Sequence, residues 1–260
     1  MAVRIDCMRS GIVNILGYQV SNKGMDVDVN KAFNYIESGS EAKYMACANP
    51  HSLVEASKDD LFKQALHQAD ILLPDGAGIL LAARILNLDI KERVAGTEFF
   101  LALTDLCNQK KNIKIFFLGS TEDVLKKLVE RIQRDFPEVD VCGTYSPPFK
   151  AEFSDDDNQA MIKAINASGA NVLWVGMTAP KQEKWIYQNK DKLKVNFIGA
   201  IGAVFDFYAG TKKRAPEWVC KLGLEWLPRL LREPRRLWKR NFVSTPLFLL
   251  AVFKQKLINK

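Results

Sequence analysis

Asp75 is the residue whose type and position most clearly indicate chemistry, because it directly follows an apolar run. The sequence over residues 72–78 is Leu-Leu-Pro-Asp-Gly-Ala-Gly. The carboxylate would be exposed at the strand's end, and a glycine-rich turn lets backbone N–H groups approach a phosphate or a sugar. The alternative is that Asp75 only caps the following helix. The turn lacks the complete GxGxxG pattern, so a dinucleotide site is not supported.

A second polar turn follows the apolar run that ends near residue 175. Its sequence over residues 175–183 is Val-Gly-Met-Thr-Ala-Pro-Lys-Gln-Glu, with Pro180 where a helix would begin. Lys181 would lie in the first helical turn, where a cation opposes the helix dipole, and this indicates an anion nearby. Gln182 can donate and accept hydrogen bonds, which suits a sugar or a uracil edge. The alternative is a capped surface helix.

Two further segments carry weaker signals. Gly119 follows an apolar run and could offer backbone amides to a nucleotide, but Glu122 in the next helical turn favours simple capping. The pair Asp26 and Asp28 has the Asp-x-Asp spacing of some divalent-metal sites. It precedes a helix predicted to begin at Val29, so capping is favoured over metal binding. The three aspartates at 155–157 have the same interpretation.

The C-terminal fifty residues carry most of the positive charge. Residues 211–260 contain 13 Lys and Arg against 3 Asp and Glu, whereas residues 1–210 contain 24 and 27. Several cations recur at spacings of three or four, so they share a helical face: Arg229, Arg232, Arg235, Arg236, Lys239 and Arg240. Trp218, Trp226 and Trp238 are distributed among the basic residues of this tail. A solvated surface helix is the alternative, but tryptophans between cations suit an anionic, partly apolar partner such as a phospholipid surface.

Apolar periodicity predicts an α/β fold in which strands alternate with helices. Predicted strands cover residues 12–16, 44–48, 71–73, 113–118, 139–142, 172–175 and 196–201. Predicted helices cover residues 29–38, 59–68, 78–88, 97–109, 121–135, 155–168 and 181–190. Short connections imply a mostly parallel sheet with helices on both faces. Ligands bind such sheets at the carboxyl ends of the strands, where the candidate residues lie.

The composition of the chain limits which classes of protein it can belong to. The chain has 260 residues, of which 48% are hydrophobic, enough for a large core. Five scattered cysteines without a CxxC pair, together with two histidines, argue against a disulfide framework and a metal cluster. No signal-peptide pattern is present, and the apolar segment 242–253 is too short to span a bilayer. We therefore expect a cytoplasmic protein with a core over 1–210 and a basic, Trp-rich, membrane-associating helical appendage over 211–260.

Several of these segments occur in the order typical of one family. They are residues 74–78 (PDGAG), 93–97 (RVAGT), 180–183 (PKQE), 199–206 (GAIGAVFD), 210–216 (GTKKRAP), 223–226 (GLEW) and 229–236 (RLLREPRR). The ordered set resembles the WecG/TagA/CpsF glycosyltransferases, glycosyltransferase family 26, over about residues 14–240. No single segment is specific, but the set is.

The resemblance implies a Rossmann-like core and an inverting, metal-independent transfer without a cofactor. A sugar would pass from a UDP-sugar to a polyprenyl-diphosphate-linked saccharide during synthesis of cell-surface polymers, teichoic acid and exopolysaccharide among them. The enzyme would be peripheral, at the cytoplasmic face of the membrane, and able to self-associate. The C-terminal helices would attach it to that membrane and supply arginines to the active site.

The resemblance also implies roles for individual residues. Asp75 would be the general base, and Arg229 and Arg236 would meet the departing diphosphate, where a bidentate guanidinium is most useful. Asn49 would orient the sugar. Further donor-site residues would be Cys47, Gly76, Arg93, Gly119, Gly176, Lys181 and Gln182. The lipid diphosphate and the membrane would meet Arg232, Arg235, Trp238, Lys239 and Arg240.

Two positions depart from the family pattern. Cys47 stands where the family usually has threonine, and a thiol hydrogen-bonds weakly. Either that hydroxyl is dispensable, or the donor sugar differs from the N-acetylmannosamine type. Glu98 stands where an aspartate is usual, so the carboxylate is kept with a longer reach.

Two other functions fit part of the sequence. A nucleotide-dependent oxidoreductase fits the alternating fold, but it would need the dinucleotide pattern and has no use for the basic tail. A nucleic-acid-binding protein would explain cations beside aromatic residues. It would not explain the turns at 74–78 and 180–183, and residues 1–210 are slightly acidic. We therefore expect no nucleic-acid partner.

Overall fold

A six-stranded parallel sheet is the centre of the fold. The computed structural model describes residues 11–39, 41–213, 230–231 and 234–258. A separate two-stranded hairpin precedes the sheet. The hairpin strands are β1 (Ile12–Ile15) and β2 (Tyr18–Ser21); the sheet strands are β3 (Lys43–Ala48), β4 (Ile71–Pro74), β5 (Lys114–Gly119), β6 (Asp140–Tyr145), β7 (Val172–Gly176) and β8 (Phe197–Ala200). Their order across the sheet is β4-β3-β8-β7-β5-β6, and every neighbouring pair is parallel. The predicted α/β class is confirmed.

Helices connect these strands and cover both faces of the sheet. Those of the first 210 residues are α1 (Met25–Ser38), α2 (Pro50–Ala56), α3 (Asp60–His67), α4 (Ala77–Leu86), α5 (Gly96–Lys110), α6 (Glu122–Asp135), α7 (Asp155–Ser168), α8 (Lys181–Asn189) and α9 (Val204–Tyr208). A 3₁₀ turn, Lys190–Lys192, follows α8. The described tail contains α10 (Pro234–Lys239), a π-helical turn (Arg240–Ser244) and α11 (Thr245–Ile258).

Side chains that alternate along the buried strands form the core on both faces. On one face, aromatic residues of the strands and of α5 pack edge to face, as Phe100 does against Trp174 with ring centroids 5.1 Å apart. On the other face, α7 and α8 cover β5, β7 and β8. The hairpin, α2, α3 and α4 cover β3 and β4 on that same face. Both faces are therefore closed to water, as a parallel sheet requires.

The hairpin turn was missed in the sequence. Leu16 and Gly17 both have positive φ, 52° and 91°, and the flanking residues Ile15 and Tyr18 pair directly. Two central residues with positive φ are the geometry of a tight hairpin turn, which usually has Asn-Gly or Asp-Gly there. Leu-Gly carries no such signal, so only the first strand was predicted.

The interpretation of Asp26 and Asp28 as residues before a helix was wrong. Helix α1 begins at Met25 with Gly24 as its N-cap, so both aspartates lie in its first turn. Asp28 is buried, and burial raises the pKa of its carboxyl to about 6, partly offset by a hydrogen bond with Ser21. Its role is to pack α1 on the hairpin. The described ranges contain no group of three His, Cys, Asp or Glu that could hold a metal ion.

The described part of the tail packs against the first 210 residues. Phe248 and Val252 of α11 are fully buried in the same apolar cluster as residues of α2 and α4. Gln255 also binds the hairpin: its Oε1 accepts from the Leu16 N–H at 2.8 Å, and its Nε2 donates to the Asn14 carbonyl at 3.2 Å. The last helix therefore shares a core with the first strands. No described helix is long and apolar enough to cross a bilayer.

Candidate active site at the carboxyl edge of the sheet

Parallel pairing brings the carboxyl ends of β3, β4, β7 and β8 to one edge. The Asp75 N–H, just after β4, donates to the Ala48 carbonyl at the end of β3, at 2.9 Å. The Val94 N–H donates to the Pro74 carbonyl at 3.0 Å and so brings Arg93 beside the same strand end. Strands β3 and β4 lie on one side of β8, while β5 and β6 lie beyond β7. Such a reversal of strand order is where open α/β sheets bind ligands.

Asp75 is not the capping residue of the following helix. Helix α4 begins at Ala77, and Gly76 occupies the N-cap position with φ of 90°. The Asp75 side chain is half-buried at the strand end. Three residues after Asp75, a Cβ on Gly78 would come within 2.4 Å of the Pro50 ring, so glycine lets the first turns of α2 and α4 meet. The capping alternative for Asp75 is thereby removed.

Asn49 caps helix α2. Its Oδ1 accepts from the Ser52 N–H at 3.0 Å, and the Ser52 Oγ accepts from the Asn49 N–H at 2.8 Å, which completes a capping box. The amide oxygen is therefore occupied. Within the described residues, no hydrogen bond involves the Asn49 NH₂ group, which leaves two donors at the edge beside Asp75.

Cys47 lies near three carboxylates. A Cβ on Gly96, at the start of α5, would be 3.5 Å from the Cys47 Sγ, so the thiol lies against that helix end. Burial, with further contributions from Asp75, Glu183 and Glu98, raises the pKa of the Cys47 thiol well above its ordinary value. The thiol is therefore neutral.

Arg93 provides positive charge at this edge. Its guanidinium lies 3.7 Å from the Glu98 carboxylate, and the arginine side chain is only 19% exposed. Glu98 belongs to the first turn of α5, where the helix dipole favours an anion. Glu98, which stands where an aspartate is usual, therefore reaches Arg93.

Gln182 and Glu183 form a buried pair in the first turn of α8. Both are 4% exposed, and the Gln182 Nε2 donates to the Glu183 Oε1 at 2.8 Å. A Cβ on Gly202, in the loop after β8, would be 3.4 Å from the Gln182 Oε1. Burial raises the pKa of the Glu183 carboxyl to about 7. Glu183 was not predicted as a site residue, because its burial is not visible in the sequence.

Gly119 and Gly176 have a packing role. A Cβ on Gly119, whose φ is 123°, would come within 2.5 Å of the Gly176 carbonyl oxygen. A Cβ on Gly176 would come within 2.3 Å of the Phe205 ring. The expected capping of the next helix is confirmed, because Thr121 accepts from the Val124 N–H. Direct contact of either glycine with a ligand remains a prediction.

Lys181 is engaged by the loop that follows β6. Its ammonium lies 3.6 Å from the centre of the Phe153 ring and donates to the Lys150 carbonyl. Burial lowers the pKa of the Lys181 ammonium. Contacts within the protein therefore account for a cation in the first turn of α8. An anion beside Lys181 stays a prediction.

The tail meets this edge through helix α2. His51 lies two residues beyond Asn49. Its Nδ1 is 2.9 Å from the Ser244 Oγ at the end of the π-helical turn. Burial and the nearby Arg240 lower the pKa of His51. Arg235, Trp238 and Lys239 are exposed on α10. Arg229 and Arg232 lie outside the described residues, as do Trp218, Trp226 and the side chain of Arg236.

Comparison with known proteins identifies the family of this chain. The model of the glycosyl transferase WecG/TagA/CpsF family matches residues 13–260. A protein of Bacillus spizizenii is 31% identical over 222 residues, which cover 85% of this chain and 82% of the relative. One from Bacillus subtilis is 30% identical over 249 residues (96% and 93%), and one from Staphylococcus aureus is 27% identical over 251 residues (94% and 93%).

All three relatives are named N-acetylglucosaminyldiphosphoundecaprenol N-acetyl-beta-D-mannosaminyltransferase. The match spans nearly the whole chain, so it includes both the sheet edge and the C-terminal helices. The chain belongs to the WecG/TagA/CpsF family of glycosyltransferases.

Proposed function

We propose that this enzyme transfers a sugar from a UDP-sugar to a hydroxyl of a polyprenyl-diphosphate-linked saccharide. The observation that carries the proposal is the position of Asp75, a half-buried carboxylate that does not cap its helix, at the carboxyl edge of β4. The names of the relatives support the acceptor class, since each relative acts on N-acetylglucosaminyldiphosphoundecaprenol.

In the proposed reaction, the Asp75 carboxylate takes the proton from the acceptor hydroxyl. The hydroxyl oxygen forms a bond to the anomeric carbon while the bond from that carbon to the diphosphate oxygen breaks. This single displacement inverts the anomeric centre. Negative charge develops on the departing diphosphate, where guanidinium groups stabilise it most. We assign that task to Arg229 and Arg236, without a metal ion.

The donor pocket of the proposal lies between Asp75 and the loop after β8. Asn49 offers its NH₂ group there, and Arg93 balances the carboxylates. Gln182 lies against Gly202 in the same region. We propose that these three residues hold the sugar and the diphosphate, with an N-acetylmannosaminyl donor as the first candidate because the relatives transfer that group.

The exposed apolar side chains of the tail support a peripheral membrane location. Trp238, Phe242, Leu247, Leu250 and Phe253 are 45% to 62% exposed. Together with nearby lysines they form a surface of the kind that enters a lipid interface. We propose that this surface rests on the cytoplasmic face of the membrane and brings the enzyme to its lipid-linked acceptor.

The proposal is tested with a panel of UDP-sugars and a synthetic lipid-diphosphate N-acetylglucosamine acceptor, with and without EDTA. Lipid product is measured by mass spectrometry, and its anomeric configuration is measured by NMR. The expected result is transfer from one or a few donors, with inversion and without loss in EDTA. Absence of product from every UDP-sugar would overturn the donor class, and loss in EDTA would overturn metal independence.

A further inference from the structure

The buried pair Gln182 and Glu183 has more acceptors than donors. It contains three side-chain oxygens and one NH₂ group, and both residues are almost inaccessible to water. The two side chains share one hydrogen bond, which Gln182 Nε2 donates to Glu183 Oε1 at 2.8 Å. The Gln182 Oε1 and the Glu183 Oε2 are buried and accept no hydrogen bond from any described residue. Buried acceptors without donors are costly, so such groups need a physical explanation.

Among the described residues, the surroundings of the pair do not supply it with a cation. Strand β3 contributes Tyr44 and Cys47, which feel the charge of Glu183, and both are neutral because burial raises the pKa of each. The Tyr44 hydroxyl donates to the Ala65 carbonyl. Strands β7 and β8 have no ionisable side chains in their described ranges, and Asp206 after β8 pairs with Lys212.

Cations of α8 are also engaged elsewhere. Lys184 forms an ion pair with Asp59 of the loop before α3, at 2.8 Å. Lys181 contacts Phe153 and the Lys150 carbonyl. Among the described residues, the donors that remain for the pair are the Glu183 backbone N–H and a proton on the Glu183 carboxyl itself.

We infer that Glu183 is a positioning residue that determines which atom of the Gln182 amide is left unpaired beside the loop after β8. When Glu183 is ionised, it accepts from Nε2, and the amide oxygen is the atom without a partner among the described residues. The amide lies edge-on to the loop, since a Cβ on Gly202 would be 3.4 Å from Oε1 and 3.6 Å from Nε2. When Glu183 is protonated, its O–H can donate to the amide oxygen after the amide turns by half a rotation, and the NH₂ group is then the unpaired end. Rotation would exchange an acceptor for two donors at that wall of the pocket.

This inference rests on the proposed function, in which Gln182 helps to hold the donor. A diphosphate or a carbonyl oxygen needs donors from the protein, whereas a sugar hydroxyl can use either group. Burial places the pKa of Glu183 at about 7, so both protonation states are populated near neutral pH. The donor affinity should therefore depend on pH through a residue that is covered from the ligand.

The test is the pH dependence of the KM for the UDP-sugar in Glu183→Gln. The replacement amide still offers an oxygen to the Gln182 Nε2 but cannot titrate. We expect the KM of the unmodified enzyme to change about fivefold to tenfold between pH 6 and pH 8, the equivalent of about one hydrogen bond. In Glu183→Gln this change should be absent, with kcat at its plateau altered by less than about twofold.

Two variants make the result specific. Gln182→Met removes the amide, so adding Glu183→Gln to it should have no further effect on the pH profile of KM, because interacting residues are non-additive. Glu122→Gln, which alters an exposed carboxylate in the first turn of α6, is the matched control and should keep the ordinary profile. If Glu183→Gln does not fold, Gln182→Met alone decides the question, because it too should flatten the profile.

The outcomes separate this inference from the proposed function. Absence of transfer from any UDP-sugar by the unmodified enzyme contradicts the proposed function. Normal transfer with the same pH profile of KM in Glu183→Gln, or in Gln182→Met, overturns the positioning role while the function stands. A drop in kcat with an unchanged KM profile would also overturn it.

Discussion

Among the carboxylates at the sheet edge, Asp75 is the one that we propose accepts a proton from the substrate. Glu98 lies beside the Arg93 guanidinium, and Glu183 is buried against Gln182. Asp75 is half-buried at a strand end, where Gly76 rather than its own side chain begins the next helix. Position therefore distinguishes three chemically similar groups.

Asp75→Asn should reduce kcat by roughly 10²–10⁴, the usual contribution of a general base. The affinity for UDP should change little, because the amide keeps the size of the side chain. Turnover is measured with the lipid-linked acceptor, and UDP binding is measured by calorimetry. Asp156→Asn, at an exposed position of α7, is the control. Full activity of Asp75→Asn would show that another group accepts the proton.

Cys47→Thr tests whether the unusual thiol limits the use of an N-acetylmannosaminyl donor. The thiol lies beside Gly96, and a threonine hydroxyl in its place would be a stronger hydrogen-bond partner. We expect kcat/KM for that donor to rise by about threefold to tenfold, the value of one neutral hydrogen bond. Lower kcat/KM with unchanged thermal stability would indicate that the enzyme is adapted to a different donor sugar.

The sequence showed Asp75 and Asn49 as candidates because both directly follow apolar runs, and strand ends are easy to locate. It did not show that Asn49 uses its oxygen to cap α2, although Ser52 three residues later is the signal for that motif. Glu183 was missed for a different reason. An acidic residue in a first helical turn is normally exposed, and only tertiary packing buries this one.

At the level of elements, the long helices and the parallel strands were predictable, whereas the short pieces were not. Helices α2 and α9 have only seven and five residues, too few for a periodic pattern. Helix α9 also follows a continuous apolar run, in which helix and strand look alike. The π-helical turn at 240–244 has no sequence signature, yet it places Ser244 against His51.

The contact between His51 and Ser244 should make docking of the tail sensitive to acid. The pKa of His51 is lowered below its ordinary value of 6.5 in the folded protein, so the unfolded chain binds its proton more readily. Stability from this residue is complete above pH 6.5 and is lost as pH falls through the folded pKa. We expect the Tm of the unmodified protein to fall more between pH 7 and pH 5.5 than that of His51→Gln. Equal falls would contradict a neutral, docked histidine.

The effect of Glu183 on stability should depend on pH in the direction opposite to that of His51, because the pKa of the Glu183 carboxyl is raised in the folded protein. Its folded pKa of about 7 exceeds the unfolded value of 4.5, so its contribution is complete below pH 4.5 and is lost as pH rises towards 7. Glu183→Gln should therefore gain stability relative to the unmodified protein between pH 5 and pH 8, on the order of 3 kcal/mol. Urea unfolding at the two pH values measures this difference, and a constant difference would contradict a buried, titrating carboxyl.

For the whole molecule, charge and apolar exposure are concentrated in the same region. The C-terminal fifty residues hold the basic excess, and their described helices expose large apolar side chains. Composition alone predicted this surface. It did not predict that α11 would also bury Phe248 and Val252, because a helix of nearly uniform hydrophobicity does not show which side faces the core.

Leu250→Ser with Phe253→Ser should weaken retention on anionic liposomes at least tenfold, because both side chains are more than half exposed. The Tm should change little, since neither side chain belongs to the buried core. Val27→Ser, at an exposed position of α1, is the control. Retention that is unaffected by the double change would place the membrane contact elsewhere on the chain.

Removal of residues 211–260 should abolish membrane association and most of the activity. The division into a core over 1–210 and an appendage predicts that the shortened chain stays soluble and folded. Loss of Phe248 and Val252 would now expose apolar residues of α2 and α4 and cost about 3–6 kcal/mol at 1.5–3 kcal/mol per side chain. Sedimentation and circular dichroism of the shortened chain show whether the first 210 residues fold by themselves.

The two hydrogen bonds of Gln255 to the hairpin turn have a consequence for biosynthesis. The hairpin precedes every other described element in the chain, and its partner α11 follows them all. During translation, the Leu16 N–H and the Asn14 carbonyl therefore lack their Gln255 partner until α11 has left the exit tunnel. Closure of this contact is thus a late step, and a nascent chain stalled before α11 emerges should display an early segment that proteases and chaperones can recognise.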